Sequence, residues 1–501
     1  MDFPLLPSLI PFLLFILFIF IFKKTTTSQN PSPKLPPGPF KLPILGNALL
    51  LFSGTDLTHI TLAKLAKKYG PLMHLQFGEL PFIIVSSPKV AKDVLKTHDI
   101  ILSSRPELPS QTILTYGNTN IESAPYGEYW RQVRKVAIVE LLSIKRVQSF
   151  APIRDEVLSN MVQAIAGAAG SLVDLTHFIY SAINEIVSKE AFGDIGKLRE
   201  EFIHVAKETG ELFAGLALAD VFPSKKFLFV LTGRKRACEK ALKRMDVILT
   251  AIIEGHKVRY KEGTNDNHEI KNLLHVLLDI QASGQLRVPL TTDNIKSVMS
   301  DAFGAGSDTS SSTVEWAMTE MLREPRTLEK AQAEVRSVFK NKAKIDEESL
   351  EELTYMKSVI KETLRMHPPP LTMRESLADC ELNGFHIPAK TLVVVNQWAI
   401  GRDPNYWTEP DRFYPDRFLE SSVDFKGNHF EFIPFGAGRR ICPGMALGVA
   451  NAERLLAELL YHFDWKLPDG MRPQDLDTKG IHGFVIRKKN RLLATPVPYV
   501  K

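Results

Sequence analysis

The sequence predicts a mainly helical fold with small β-sheets, and three observations carry that reading. Apolar residues recur at helical spacing over most of the chain. Short β-branched and aromatic stretches are confined to its early and late parts. A proline-free rod of about 32 residues runs through the second half. The composition is that of an ordinary globular chain: 501 residues, 62 Lys+Arg against 57 Asp+Glu, and 44% apolar. Collagen, low-complexity disorder and a disulfide-stapled mini-protein are thereby excluded. A net charge of +5, evenly spread, gives no footprint for nucleic acid. Cys238, Cys380 and Cys442 form neither a paired framework nor a C-x-x-C spacing.

Taken in chain order, the first element is Phe3–Phe22, twenty residues without a charge. At about 1.5 Å per residue such a helix spans the roughly 30 Å hydrocarbon core. A cleaved signal peptide would want a basic start and a small-residue cleavage site; here Asp2 precedes the run and Lys23-Lys24 follow it. The positive-inside rule then places everything beyond Lys24 in the cytosol. The expected organisation is a membrane anchor over 1–24, a linker and proline-rich hinge over 25–39 containing Leu35-Pro36-Pro37-Gly38-Pro39, and one domain over 40–501.

Within that domain the spacing predicts helices at Thr61–Tyr69, Pro88–Thr97, Gly127–Leu142, Ile153–Ala166, Arg234–Arg259, Glu329–Phe339, Glu352–Met366 and Met445–Phe463. Strands are expected at Leu72–Phe77, Phe82–Ser86, Thr391–Asn396 and Phe484–Arg487. The rod runs from Thr292 to Glu324, with Asp293 in its first turn and Pro325 as its stop. At its middle stands Asp301-Ala-Phe-Gly-Ala-Gly-Ser-Asp-Thr-Ser-Ser. Two glycines, Asp and Thr there contradict helical preference, a conflict that marks functional segments.

The motif with most chemistry is Phe435-Gly436-Ala437-Gly438-Arg439-Arg440-Ile441-Cys442-Pro443-Gly444. Its glycines permit tight turns and close approach to a bound group. Cys442 stands just ahead of a predicted helix, whose N-terminal N–H groups are expected to stabilise a thiolate and lower its pKa. A lone thiolate is a poor structural zinc site but can serve as the axial ligand of haem iron. The bland alternative, a buried cysteine in a glycine loop, does not account for the full F-x-x-G-x-R-x-C-x-G spacing.

At these residues the chain resembles the cytochrome P-450 monooxygenases, and the resemblance runs from Pro36 to the C-terminus. Lys361-Glu362-Thr-Leu-Arg365 matches the family's E-x-x-R, and Phe413-Tyr-Pro-Asp416-Arg417-Phe418 its later arginine motif, with Asp416 in place of the usual Glu. The resemblance implies the cytochrome P-450 fold with one N-terminal transmembrane helix. It also implies that Glu362, Arg365 and Arg417 form a buried network that fixes the cysteine region. Ala305-Gly306-Ser307-Asp308-Thr309-Ser310 matches the oxygen-activation segment. There Thr309 would hold a delivering water and Asp308 would link it to solvent protons; a Thr bonded to its own helix carbonyl is the competing reading. Small residues on that segment would let haem and O₂ lie against the helix.

Further implied cofactor residues are Phe435 in the cysteine motif, and Trp130, Arg134, Arg374 and Arg440 toward the haem propionates, with Arg131 and Lys135 toward solvent. The segment His367–Glu375 is shorter than the family's usual pattern. The thirteen histidines show no metal-ligand spacing. Gly436-x-Gly438 and Gly304-x-Gly306 lack the strand and third small residue of a dinucleotide site, so electrons must come from another protein.

The resemblance implies haem b (iron protoporphyrin IX), hydroxylation with O₂, and a membrane-bound diflavin NADPH-cytochrome reductase as donor, and it admits cytochrome b5 as a further partner. PPGPFKLPILGN, YGEYWRQVRK and FIPFGAGRRICPG resemble plant endoplasmic-reticulum members acting on terpenoids, alkaloids and phenylpropanoids; a terpenoid or a terpenoid-derived alkaloid is the expected substrate. Expected pocket residues are Ile113–Tyr126, Ala302, Ala305, Leu371, Thr372 and the Ile481–Phe484 turn, where His482 offers either a polar contact or a packed core residue. Two rivals stay open: a haem-thiolate isomerase or dehydratase not needing O₂, and a non-catalytic haem-binding scaffold. Retention of Asp308-Thr309 argues against both.

Overall fold

The computed structural model describes residues 34–52, 56–214, 217–261, 271–340, 342, 344–481, 483 and 485–499. The anchor stretch Phe3–Phe22, most of the linker, His482 and Phe484 lie outside the described residues. Among the described residues no helix is long and apolar enough to cross a membrane.

Gly70, at φ +100°, ends the helix Thr58–Tyr69 and releases the chain into the strand Leu72–Phe77. That strand pairs antiparallel with Leu80–Val85, which runs parallel to Leu392–Asn396, itself antiparallel to Leu371–Glu375. Leu392–Asn396 is buried at every position, as an unbroken Val run predicts for a strand covered on both faces. The strand Leu371–Glu375 was not anticipated, and it sets Arg374 opposite Val393. A second unanticipated pair, Cys380–Leu382 with Phe385–Ile387, turns through Asn383-Gly384, both at positive φ. The expected strand at Phe484–Arg487 is instead the short pair Gly480–Ile481 with Arg487–Lys488. A three-stranded sheet of Val173–Asp174, Leu493–Pro498 and Phe463–Lys466 was missed.

The rod is one helix, Thr292–Arg323. Thr291 Oγ1 accepts the Asn294 N–H at 3.1 Å and Asn294 Oδ1 accepts the Thr291 N–H at 2.9 Å, a reciprocal cap. Pro325 ends it and opens the next helix, Pro325–Val338, because a proline is tolerated in a first turn. This shifts the predicted start of that helix four residues upstream. The segments Pro88–Thr97 and Gly127–Leu142 start as α-helices and finish in π turns at Asp93–Thr97 and Ala137–Leu141. Helices Leu175–Phe192, Leu198–Ala214 and Leu273–Ser283 add to those predicted.

The long helix is the axis of the main core. It packs on Leu175–Phe192 and on Met445–His462, burying Val298, Val314, Met318 and Met321, each worth about 1.5–3 kcal/mol. Glycines stand at two of its contacts, of which only the first is tight. A Cβ on Gly306 would lie 3.3 Å from Val187, and one on Gly448 would lie 3.5 Å from Ser310 Oγ. Gly306 therefore lets the mid-helix segment lie close to Leu175–Phe192, while Gly448 leaves ordinary contact room for Ser310 on the helix that follows Cys442.

Candidate functional site

The cysteine loop is built from its glycines. Gly436 and Gly438 both adopt φ +70°, and a side chain at Gly438 would strike the Leu95 carbonyl at 2.1 Å. The Cys442 N–H donates to the Phe435 carbonyl at 2.9 Å, closing the loop, and the helix Met445–His462 begins two residues beyond Gly444's preceding proline. The Cys442 sulfur is enclosed by protein, and the residue as a whole is half-buried. The expected lowering of its pKa is overturned. The Gly444 N–H and the Arg134 guanidinium do favour the thiolate, but burial wins and pushes the free thiol up to about 11. Ligation of a metal removes that proton outright, so this cost falls only on the unligated sulfur.

Four arginines close around this loop. Arg440 donates from Nε to the Ser103 carbonyl (2.8 Å), from Nη1 to Ile121 (3.3 Å) and from Nη2 to Ala124 (2.6 Å), over the Trp130 ring at 4.1 Å. Trp130 Nε1 donates to the same Ile121 carbonyl at 3.1 Å. Arg134 donates to the Ile441 carbonyl, next to the cysteine. Arg374 donates to Asp99 Oδ1 and to the Ala437 carbonyl, both at 2.7 Å. With Arg105 they form a cationic cluster in which burial, then Arg105, pushes Arg440 down to about 8. Burial brings Arg374 to about 10 against the pull of Asp99.

A haem-thiolate site needs a cysteine sulfur for the iron and donors for the two haem carboxylates, and the residues present fit it. Among the described residues, the Nε atoms of Arg134 and Arg374 are buried without a partner, and a crowd of guanidiniums held below their ordinary pKa values is stabilised by anions. No group of three or more His, Cys, Asp or Glu that could hold a bare metal ion occurs among the described residues.

Sequence reasoning missed Asp99. One carboxylate oxygen takes Arg374 and the other takes the Arg439 N–H at 3.0 Å, so Asp99 ties the strand of Arg374 to the cysteine loop. Its partners lie 275 and 340 residues away, and nothing local to Asp99 in the sequence announces the contact.

The expected buried network is present. Glu362 and Arg365 are fully buried, and all five guanidinium N–H groups are used: Nε and Nη2 on Glu362 (2.7 and 2.8 Å), Nη1 on the Gly401 and Pro410 carbonyls, Nη2 also on Arg412. Glu362 further accepts from the Tyr414 N–H (2.8 Å) and from Arg417 Nε (3.1 Å). Asp416, the departure from the family pattern, stays outside the triad and pairs with Lys330.

On the long helix, Ala302, Ala305, Thr309 and Thr313 fall on one half-accessible face, whereas Ser307, Ser310 and Ser311 are buried. Thr309 Oγ1 donates to the Ala305 carbonyl at 2.7 Å, the competing reading, which leaves the hydroxyl's acceptor side free. Gly306 faces Val187 of the neighbouring helix, so its smallness serves helix packing. Asp308 pairs with Arg487 of the C-terminal hairpin, a partner 179 residues away that the sequence did not signal. Ile113, Tyr126, Leu371 and Thr372 are half-buried; Arg131 and Lys135 are exposed, as expected.

The family profile described as "Cytochrome P450" matches residues 36–494. Premnaspirodiene oxygenase of Hyoscyamus muticus is 48% identical over 495 residues, covering 98% of this chain and 98% of its own. Tabersonine 6,7-epoxidase isoform 1 of Catharanthus roseus is 48% identical over 489 residues, 96% of each chain. For 5-epiaristolochene 1,3-dihydroxylase of Nicotiana tabacum the figures are 46% over 497 residues and 98% of each. A zebra fish cytochrome P450 solved with progesterone superposes with a TM-score of 0.76 at 24% identity, over 89% of this chain and all of that one, and shares the fold.

Proposed function

Because the chain belongs to the cytochrome P450 family and is a haem-b-dependent monooxygenase, we propose that it hydroxylates a lipophilic plant specialised metabolite, a terpenoid or alkaloid. Electrons would come from a membrane-bound diflavin NADPH reductase. The observation that carries this reading is Cys442, an enclosed sulfur facing the Gly444 N–H and ringed by buried arginines with unpartnered donors. When bound, the haem activates O₂ for insertion into a C–H bond. Cys442 would hold the iron and the free Nε donors of Arg134 and Arg374 would serve the propionates. Against expectation, the Trp130 N–H and the Arg440 guanidinium are spent on the Ser103, Ile121 and Ala124 carbonyls, so these two would line that edge, and Phe435 would pack beside the loop.

Thr309 would hold a water through its free acceptor side and pass on a proton, which Asp308 would replace from solvent. Asp308 is paired with Arg487, so taking up that proton would compete with the ion pair. The pocket face of Ala302, Ala305 and Leu371 orients an apolar substrate by shape and excludes water. Relatives named for acting on premnaspirodiene, 5-epiaristolochene and tabersonine support the substrate class.

Coexpression with the reductase in microsomes and a mass screen of candidate lipophiles tests the reading: a product heavier by one oxygen must require both O₂ and NADPH. Turnover without O₂ would favour the isomerase. Thr309→Ala should lower product formed per NADPH consumed by about tenfold or more while O₂ is still reduced, now released as H₂O₂. Unchanged coupling would remove Thr309 from proton delivery.

The reductase would meet the surface carrying Lys135, Lys145, Arg146 and Arg439, where Ile138, Val139 and Ile144 are also exposed. Lys135→Glu with Lys145→Glu should cut reductase-driven turnover about tenfold at low salt yet spare peroxide-driven turnover. Equal loss in both would reject that surface. We also read the protein as a single-pass endoplasmic-reticulum protein anchored through residues 3–22, its domain facing the cytosol. In support, Phe40 and Ile44 are 74% and 77% exposed, and Phe227, Val230 and Leu231 are exposed on a neighbouring segment. The Glu79 N–H bond to Val221 and the Glu79 carboxylate bonds to Ser224 link the loop after Leu72–Phe77 to that second segment.

A further inference from the structure

The long helix carries a second acid, Asp301, two turns before Asp308, for which proton delivery has no use. It is half-buried. One oxygen, Oδ2, accepts two consecutive backbone N–H groups, those of Ile121 at 3.1 Å and Glu122 at 3.0 Å. The carbonyl of that same Ile121 accepts Trp130 Nε1 and Arg440 Nη1. A single residue of the 113–126 segment is thus gripped from the long helix on its N–H side and from the cysteine-loop side on its carbonyl side.

Upstream, the segment turns sharply. Tyr116, Gly117 and Asn118 hold three successive left-handed conformations, at φ 52°, 81° and 58°. Its other ties to the helices include the Ser297 Oγ bond to the Thr115 carbonyl at 2.8 Å, the Tyr116 hydroxyl bond to Asp246 at 3.1 Å and the Tyr129 hydroxyl bond to the Thr119 carbonyl at 2.6 Å. Arg105, at 3.3 Å from Glu122, steadies the far side. An acid is a costly way to fill this interior position: burial and the Glu122 charge push the Asp301 carboxyl up to about 7, and only the two backbone N–H groups and Arg105 oppose them.

We propose that Asp301 is a positioning residue, a latch that holds the 113–126 segment closed over the substrate pocket and registers it against the cysteine loop through the Ile121 peptide. This deepens the functional reading above, since it concerns how the same pocket fixes its ligand.

The test uses holoprotein carrying Asp301→Leu, which removes the acceptor and keeps the branching pattern, and Asp301→Asn, whose amide oxygen can still accept both N–H groups. Should the leucine variant yield no holoprotein, Asp301→Ala carries the same expectation. Hydrogen exchange at the Ile121 and Glu122 amides should accelerate about tenfold or more in the leucine or alanine variant. It should stay near wild type in the asparagine variant, with Leu72–Phe77 unchanged in all. Affinity for the bulky azole clotrimazole should weaken about tenfold and return with asparagine, while imidazole, too small to touch the segment, binds alike throughout. Unchanged exchange at 121–122, or acceleration spread evenly over the fold, overturns the latch. A wild-type protein whose reduced carbon monoxide complex lacks the red-shifted Soret band would overturn the haem-thiolate reading instead, and the exchange result would stand apart from it.

Discussion

Cys442→Ser is expected to erase the strongly red-shifted Soret band of the reduced carbon monoxide complex and to lower hydroxylation by at least about a thousandfold, some 4 kcal/mol of barrier. The reason is electronic as much as structural. A thiolate pushes electron density toward iron and favours O–O cleavage, which an alcohol oxygen does not. The loop itself should survive, because the bond that closes it is made by the backbone N–H of residue 442 to Phe435 and the turns are made by Gly436 and Gly438. The variant should therefore stay folded, with a circular dichroism melt close to wild type, while losing the spectral signature. A variant that keeps both the red-shifted band and turnover would end the assignment of the sulfur as ligand.

The second large effect is expected at the buried triad. Glu362→Ala strands two guanidiniums, Arg365 and Arg417, with Arg365 fully enclosed. Breaking one partner from such a pair costs about 3–5 kcal/mol, a large part of a typical 5–15 kcal/mol of net stability. Arg365→Lys should be nearly as damaging. An ammonium has three donors and no fork, whereas this position uses five N–H groups on Glu362, Gly401, Pro410 and Arg412. Both variants should accumulate as protein without bound haem, because the carbonyls held by Arg365 belong to the 401–412 segment, which leads into the cysteine loop. Chemical denaturation of the Glu362→Ala protein should show the loss directly, and full haem incorporation at wild-type stability would show the triad to be dispensable. Neither residue touches the reacting atoms, so any surviving holoprotein should keep a normal carbon monoxide spectrum.

Sequence alone determined whatever is decided by near neighbours in the chain. The long helix is bounded by Thr291 and Pro325 because a cap and an imino acid act within one turn. Glu362 and Arg365 meet because i and i+3 share a face, and the cysteine loop turns where Gly436 and Gly438 stand. Tertiary structure decided the rest, because those outcomes depend on groups brought together from far along the chain. Burial by the surrounding elements, not the helix terminus, governs the free Cys442 thiol. Val187 determines which way Gly306 faces, Arg487 arrives beside Asp308 from the C-terminal hairpin, and Asp99 and Asp301 find their partners across hundreds of residues. A pairing of that span leaves no periodicity in the sequence, since only the packed core fixes its distance and its dielectric surroundings.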